Sequence, residues 1–228
     1  MSKVKVIIIA GGEGSRWKNH TGVPKHLLKI DDETLLDRMV RQCVERGVKD
    51  IVIVGPSNDP RYIKRDCRTK EIDLLPLSAP KGERKAALCF SSMDEWSRDF
   101  KTCCLLGDVW YENDIMDRIL NDEYHTFVMY GRNGPSRLTG KIWAEDFAIT
   151  FYPADHALYR ESMKTFDVKV TEPWRHVTKC FQDGDDKKHM VYAGGMTEDF
   201  DFPEDLDRWL YYRNKHRDDL SRCEIKVV

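Results

Sequence analysis

Apolar residues in this chain occur in two patterns: short continuous runs, and longer stretches where they recur every three or four residues. Val4-Lys5-Val6-Ile7-Ile8-Ile9-Ala10 is a nearly unbroken β-branched run, the pattern of a parallel strand covered on both faces. Thr34 to Gly47 has helical spacing. Leu35, Leu36, Met39, Val40, Cys43 and Val44 fall on its apolar face, and Gly47 is a natural stop. Asp50 to Gly55 predicts a second buried strand, closed by Pro56-Ser57-Asn58, and Ile72 to Leu77 predicts a third. Arg84 to Phe100 reads as a helix, and Thr102 to Leu106 as a fourth strand ending at Gly107-Asp108.

Alternating strands and helices argue for an α/β fold with a doubly wound, mostly parallel sheet. Ligands of such sheets bind beyond the carboxyl ends of the strands. The glycine-rich loop after Ala10 and the Asp108 turn are both predicted strand ends, so they are expected to share one crevice. The second half is less regular. Thr126 to Tyr130 and Phe147 to Phe151 predict strands, Gly131 to Gly140 a loop, and Pro203 to Lys215 a closing amphipathic helix. No repeat, low-complexity tract or linker interrupts the chain. Residues 1–228 are expected to form a single domain with an acceptor-side insertion at about 131–191.

Composition narrows the function classes. The chain is 41% hydrophobic and 33% charged with a formal net charge of −2, so it has no general attraction for nucleic acid or an anionic membrane. Affinity for phosphate must come from a local site. No apolar run reaches the roughly 18 residues that a membrane span needs, and Val4 to Ala10 is too short for a signal-peptide core. Seven cysteines, an odd number without a Cys-x-x-Cys pair or a Cys/His cluster, read as reduced thiols of a cytoplasmic protein and argue against zinc.

The chemistry concentrates in AGGEGSRWKNHTGVPKHLLKI, Ala10 to Ile30. A buried strand runs into Ala10, Gly11, Gly12, Gly14 and Ser15, where backbone N–H groups can turn toward an anion without interference from Cβ. Arg16 and Lys25 add the positive charge a triphosphate needs, one as a fork and one as a compact point charge, and neither is expected in the core. A dinucleotide fingerprint is disfavoured because Trp17 stands at the third-glycine place, and a P-loop because no Gly-Lys-Ser/Thr follows. A tight glycine turn with chance charges would explain Gly-Gly-x-Gly alone. It does not explain Arg16, Pro24-Lys25 and Leu27-Leu28 all in register.

This segment resembles the signature of the sugar-phosphate nucleotidyltransferase superfamily: roughly AGGxGxR, a spacer, then PK and LL. Its kin include molybdenum-cofactor guanylyltransferases and cytidylyltransferases. His26 is less usual at its place and is expected to stay clear of the chemistry. The resemblance implies a Rossmann-like, glycosyltransferase-A-like nucleotidyltransferase fold. It also implies transfer of NMP from an NTP to a phosphorylated small molecule such as a sugar phosphate, with release of pyrophosphate and Mg2+ as cofactor. Asp108 matches the family's metal-binding aspartate after an apolar strand, although a strand-ending turn would also place an acid there. Glu198 to Leu206 resembles the family's D-T-P-E-D-L element with Phe202 in place of threonine. That puts Asp201 at the second metal position. Asp199 lies on the same strand face as a backup ligand, and Asp205 is a first-turn acid. An acidic helix N-terminus is the plain alternative.

Pro80 to Ala87 stands where the family reads the nucleobase. Gly82-Glu83-Arg84 is closer to the cytidylyltransferase type, which favours CTP and assigns Gly82 and Arg84 to the nucleotide; a solvated charge run is the alternative. Arg132, Arg137, Lys141 and Glu145 are candidates for the acceptor, against a bland surface loop. Trp143, Trp174 and His176 read as packing or surface residues. An acceptor phosphate is already anionic near pH 7, so no side-chain nucleophile or base is required, and the chain presents no Ser/His/Asp or Cys/His arrangement. A nucleotide-sugar-dependent glycosyltransferase is the alternative enzyme, but Asp108-Val109-Trp110 lacks the second acid of D-x-D, and Asp199-Phe200-Asp201 has that form at the wrong end of the chain. A non-catalytic nucleotide-binding subunit would not need the metal acids. Identity of the NTP and acceptor, and the oligomeric state, a homo-oligomer included, stay open.

Overall fold

Val4–Ile9 forms β1, whose side chains alternate between two cores. Val6 and Ile8 pack with Leu36, Met39, Leu105 and Trp209 on one side, and Ile7 and Ile9 with Cys104, Ile149, Phe151 and Tyr159 on the other. A strand buried on both faces has no polar side, which is why the run is continuous rather than alternating. The computed structural model describes residues 3–11, 16–18, 20–57, 59–72, 92–123, 126–165, 174–175, 177 and 190–222.

After β1 come a small ribbon, β2 (Lys29–Ile30) and β3 (Glu33–Thr34), then helix α1 (Leu35–Glu45) and β4 (Asp50–Pro56). Next are β5 (Arg68–Ile72), β6 (Lys101–Leu106), β7 (Val109–Trp110) and α2 (Asn113–Asn121). The chain continues through β8 (Val128–Arg132), β9 (Glu145–Phe151), α3 (His156–Thr165), β10 (Met190–Tyr192), β11 (Glu198–Asp199) and α4 (Pro203–Arg222). Seven strands form one sheet in the order β10-β8-β9-β6-β1-β4-β5. β6, β1, β4 and β5 are mutually parallel, β9 runs antiparallel to both β6 and β8, and β10 is parallel to β8. The sheet is thus mostly parallel, as expected. The segment expected to be an insertion contributes β9 to the middle of it.

Local chemistry sets the helix ends. Thr34 Oγ1 accepts the Asp37 N–H at 3.0 Å as the N-cap of α1, and Gly47 follows the helix at φ +78°. The buried stripe of α1 includes Gln42, whose amide donates to Tyr111 O and Asn113 Oδ1 at 3.0 Å each. Val44, expected on the apolar face, is 40% exposed because it lies past the edge of the stripe through Leu35, Met39 and Cys43.

Several boundaries differ from the sequence reading. The third strand is Arg68–Ile72 rather than 72–77; it lies at the sheet edge beside β4, where charged side chains reach water and hide the pattern. Residues 73–91 lie outside the described set, with most of the helix expected from Arg84. Only Ser92 and Met93 are helical in its remainder, and Asp94 to Phe100 is turn and bend. Ser97 Oγ accepts the N–H groups of Asp99 and Phe100 there, a local alternative to helix. α2 and α3 add to the expected elements, and α4 continues beyond Lys215. Among the described residues no helix is long and apolar enough to cross a membrane.

Candidate active site

β1 and β6 are parallel neighbours whose outgoing connections part: β1 leads through α1 to β4 on one side, and β6 leads toward β9 and β8 on the other. In sheets of this kind such a divergence is where a ligand crevice lies, beyond the carboxyl ends of the strands. Gly107 makes the two ends meet. Its N–H donates to Ile9 O at 2.9 Å, and a Cβ there would stand 2.9 Å from the same oxygen, so only glycine fits. Asp108 follows at the mouth of the crevice.

Gly12, Gly14 and Ser15 lie outside the described residues, as do Gly82 and Arg84 of the expected base-reading segment. Ala10 and Gly11 are buried, and the Ala10 N–H is spent on Val54 O at 2.8 Å. The descending limb of the loop is pinned by Trp17, fully buried, whose indole donates to Val23 O at 3.1 Å. Lys25 then stands on a single 3-10 turn, Lys25–Leu27, rooted by buried Leu27 and Leu28. This turn buries Lys25, against the expectation from sequence.

A second device brings the distant acids together. β7, immediately after Asp108, pairs antiparallel with β11, Val109 opposite Asp199 and Trp110 opposite Glu198. The Phe200 N–H donates to Asp108 O at 3.3 Å, which closes the ribbon and carries Asp201 to Asp108. Asp205 Oδ2 accepts the N–H groups of Asp201 and Phe202 at 2.9 and 3.0 Å and so fixes the backbone where α4 begins.

Charges meet at this point. Lys25 Nζ pairs with Asp108 Oδ2 and, at 3.2 Å, with Asp201 Oδ1. The half-exposed Arg16 reaches the same Asp201 oxygen at 2.7 Å and lies 5.4 Å from the Phe202 ring centre, a cation–π contact at the position where Phe replaces Thr. Burial works against the charge on Lys25, but Asp108 and Asp201 outweigh it and raise its pKa. Burial likewise opposes ionisation of Asp108, and Lys25 holds its carboxyl below the ordinary value. His26 is buried with Nδ1 3.2 Å from the Tyr62 hydroxyl, and burial drives its pKa down to about 4, so the ring is neutral beside the charged pair.

The remaining candidates fall into two groups. Lys141 is almost fully buried among oxygens: Asp199 Oδ2 at 2.5 Å, Asp199 O at 3.2 Å, Asp205 at 3.4 Å, Asp201 at 3.7 Å and Glu145 at 3.9 Å. Burial would lower its pKa, yet these carboxylates raise it. Carboxylate oxygens of Glu145, Asp199 and Asp201 lie within 4.8 Å of one another. Arg132, by contrast, is turned into the protein. It pairs with the fully buried Glu198 at 3.2 Å and donates to Trp143 O at 2.8 Å, while Ser136 also donates to Glu198. Arg137 is exposed. A groove of about 380 Å³ runs between Thr139–Trp143 and the start of α4, lined also by Phe202, Glu204 and Arg208.

Three supporting residues escape a sequence reading. Glu198 fixes Arg132. Tyr111 donates to Phe147 O at 2.6 Å and accepts the Leu106 N–H at 3.1 Å, bracing the strand that ends at Asp108. Arg208 donates to Thr139 O at 2.9 Å across Gly140. The first and third lie near the acidic motif, but their partners are remote in sequence and carry no periodic signal. His176 is outside the described residues, and Trp174 is core.

The model of the MobA-like NTP transferase domain matches residues 6–125. A curated relative, "Bifunctional IPC transferase and DIPP synthase" of Aquifex aeolicus (strain VF5), is 51% identical over 85 residues, which are 36% of this chain and 20% of that protein. The match thus spans about a fifth of the relative's length. Among solved structures, the inositol-1-phosphate CTP transferase from T. maritima aligns with a TM-score of 0.65 at 13% identity, over 92% of this chain and 94% of that one. The CTP:phosphocholine cytidylyltransferase from Streptococcus pneumoniae aligns with a TM-score of 0.63 at 14% identity, over 92% and 99%. At such identities the structural likeness concerns the fold.

Proposed function

The chain belongs to the MobA-like NTP transferase family and is a nucleotidyltransferase, and we propose that it transfers CMP from CTP to the phosphate of a small phosphorylated acceptor, releasing pyrophosphate. The observation that carries the site is the meeting of Asp108 and Asp201 on Lys25, beside Arg16, at the carboxyl ends of β1 and β6. Two acids and two cations gathered at these strand ends form the set needed to hold a metal-bound triphosphate.

In this reading Arg16 and Lys25 neutralise the triphosphate and stabilise the charge that develops as pyrophosphate leaves. An acceptor phosphate oxygen attacks the α-phosphorus; the new P–O bond forms as the bond to the β-phosphate oxygen breaks, and pyrophosphate departs with the electron pair. No proton need be removed from the nucleophile. Asp108 and Asp201 would hold Mg2+, since hard carboxylate oxygens suit that ion. Bound there, the ion supplies charge neutralisation on the α-phosphate. Buried Asp199 Oδ1, without a hydrogen-bond partner among the described residues, leaves an acceptor open beside Asp201. The Glu145, Asp199 and Asp201 trio favours the ion less than the Asp108–Asp201 pair, because buried Lys141 is enclosed by all three of its carboxylates, whereas Lys25 and the half-exposed Arg16 on the pair can turn toward a triphosphate.

CTP is supported by the Gly82-Glu83-Arg84 segment and by the two structural neighbours, both named for CTP. Phosphorylated polyols and phosphorylated amino alcohols are both acceptors consistent with the comparisons. The groove beside Lys141, with Trp143 and Phe202 as apolar walls and Arg208 as a cation, is where we place the acceptor's body. Of the four residues first considered for the acceptor, Arg137 alone is exposed; Arg132, Lys141 and Glu145 serve by shaping the site. Reduced thiols at Cys43, Cys67 and Cys103 support a reducing, cytoplasmic setting.

The test is pyrophosphate release from each of the four NTPs against a panel of phosphorylated polyols, sugars and amino alcohols, with Mg2+. Release that requires both CTP and one acceptor class supports the proposal. Acceptor-independent NTP hydrolysis, or transfer from a nucleotide sugar without pyrophosphate release, refutes it.

A further inference from the structure

The two acids proposed to hold the divalent ion are the same two acids that Lys25 and Arg16 already hold. Lys25 Nζ sits on Asp108 Oδ2 and on Asp201 Oδ1, and Arg16 sits on that second oxygen as well. Asp201 Oδ2 faces Lys141 at 3.7 Å. A divalent cation that approaches Asp108 and Asp201 must therefore displace positive charge or lie against it.

The cations differ in how firmly they are held. Lys141, 2% exposed at its side chain, is surrounded by oxygens of Asp199, Asp201, Asp205 and Glu145. Arg16 is 52% exposed at its side chain and rests on one carboxylate oxygen and one ring. Lys25 stands on a three-residue turn, and among the described residues its ammonium pairs with the two acids in question. Arg16 and Lys25 are the residues that a triphosphate would draw toward itself.

We propose that Lys25 and Arg16 compete with the divalent cation for Asp108 and Asp201, so that the cation binds with the nucleotide and not ahead of it. This rests on the nucleotidyltransferase reading of the same site. The triphosphate gives the two side chains a better anion, which frees the carboxylate oxygens for the ion. By linkage, the ion strengthens nucleotide binding by the factor by which the nucleotide strengthens the ion's. The consequence for the enzyme is economy of charge: the acids stay neutralised until the full substrate complex assembles.

Mn2+ is the probe, with the unbound ion read by paramagnetic resonance and all proteins checked for folding by circular dichroism and thermal melting. Without nucleotide, Lys25→Gln is expected to bind Mn2+ about tenfold more tightly than wild type, a coupling within the usual range for linked sites. Arg16→Gln, at a half-exposed position where folding is not at stake, is expected to shift binding in the same direction by a smaller factor. CTP should tighten Mn2+ on wild type and do so less on Lys25→Gln. Folded variants that bind Mn2+ no better than wild type overturn the competition; should Lys25→Gln fail to fold, Arg16→Gln decides alone. If no NTP tightens Mn2+ on wild type although the variants gain affinity, the competition stands and the nucleotide reading of the site falls.

Discussion

His26 gives the site a measurable acid sensitivity. The ring is buried, with Nδ1 beside the Tyr62 hydroxyl at 3.2 Å, and its pKa falls from 6.5 to about 4. Burial is the main cause and Lys25 adds to it, while Asp108 works the other way. A base whose folded pKa is depressed takes up its proton more readily when unfolded. Its contribution is fully present above pH 6.5 and is lost as pH falls toward 4. Each pKa unit corresponds to about 1.4 kcal/mol, so between pH 7.5 and pH 5 this one group should cost about 2 kcal/mol of stability. Urea unfolding of wild type and His26→Gln at the two pH values isolates the effect, because other titrating groups change both proteins alike. The variant keeps a polar group for Tyr62 but cannot titrate. Wild type should therefore lose about 2 kcal/mol more than the variant on acidification. Equal losses in the two proteins would refute the argument that this ring is held neutral by burial.

Arg16→Ala and Lys25→Ala should each reduce turnover by about two to three orders of magnitude, the scale of losing a charge-stabilising donor, as read by pyrophosphate release. Lys25→Ala should also lower the melting temperature because it leaves buried Asp201 and partly buried Asp108 without their ammonium, whereas loss of the half-exposed Arg16 should not. Asp108→Asn and Asp201→Asn should abolish turnover in folded protein, and Asp199→Asn should do less harm; full activity in Asp108→Asn would remove it from the site. Gly140→Ala should destabilise by about 1–3 kcal/mol, the scale of a strained left-handed residue, because Gly140 has φ +77° and a Cβ would overlap Arg208 Nη1. An unchanged melting temperature would contradict that geometry.

Much of the first half of the fold was legible because burial on both faces leaves its mark in sequence. β1, β4 and β6 show as apolar runs since neither face meets water, and Thr34 and Gly47 mark the limits of α1. β5 was hidden by the same physics: at the sheet edge, Arg68, Thr69, Lys70 and Glu71 meet solvent, and the polar run looks like a loop. α2 shows a different kind of miss. Ile115, Met116, Ile119 and Leu120 have helical spacing, but nine residues without a side-chain cap at Glu112 make a short signal.

The site divides along the same line between local and long-range chemistry. Arg16 and Lys25 were legible because their spacing from the glycines is set by a single loop, and Asp108 because a strand end is a local feature. That Asp201 faces Asp108 follows from the β7–β11 ribbon, two residues on each strand, which no local pattern announces. Arg132 shows the cost of reading charge without partners. Among glycines in a loop it resembles a phosphate ligand, yet Glu198, fully buried, takes it as counter-ion. A carboxylate buried to that degree must find a cation or a proton, and Arg132 together with Ser136 satisfies it. Lys141 obeys the same rule toward Asp199. Around this crevice, then, an arginine or lysine is available to a ligand to the extent that the buried acids leave it unclaimed. By that criterion Arg137 and Arg208 have no buried acid as partner among the described residues, and Arg16 and Lys25 become candidates for phosphate contact only as a ligand draws them from Asp108 and Asp201, while the Arg132–Glu198 and Lys141–Asp199 pairs stay as a frame.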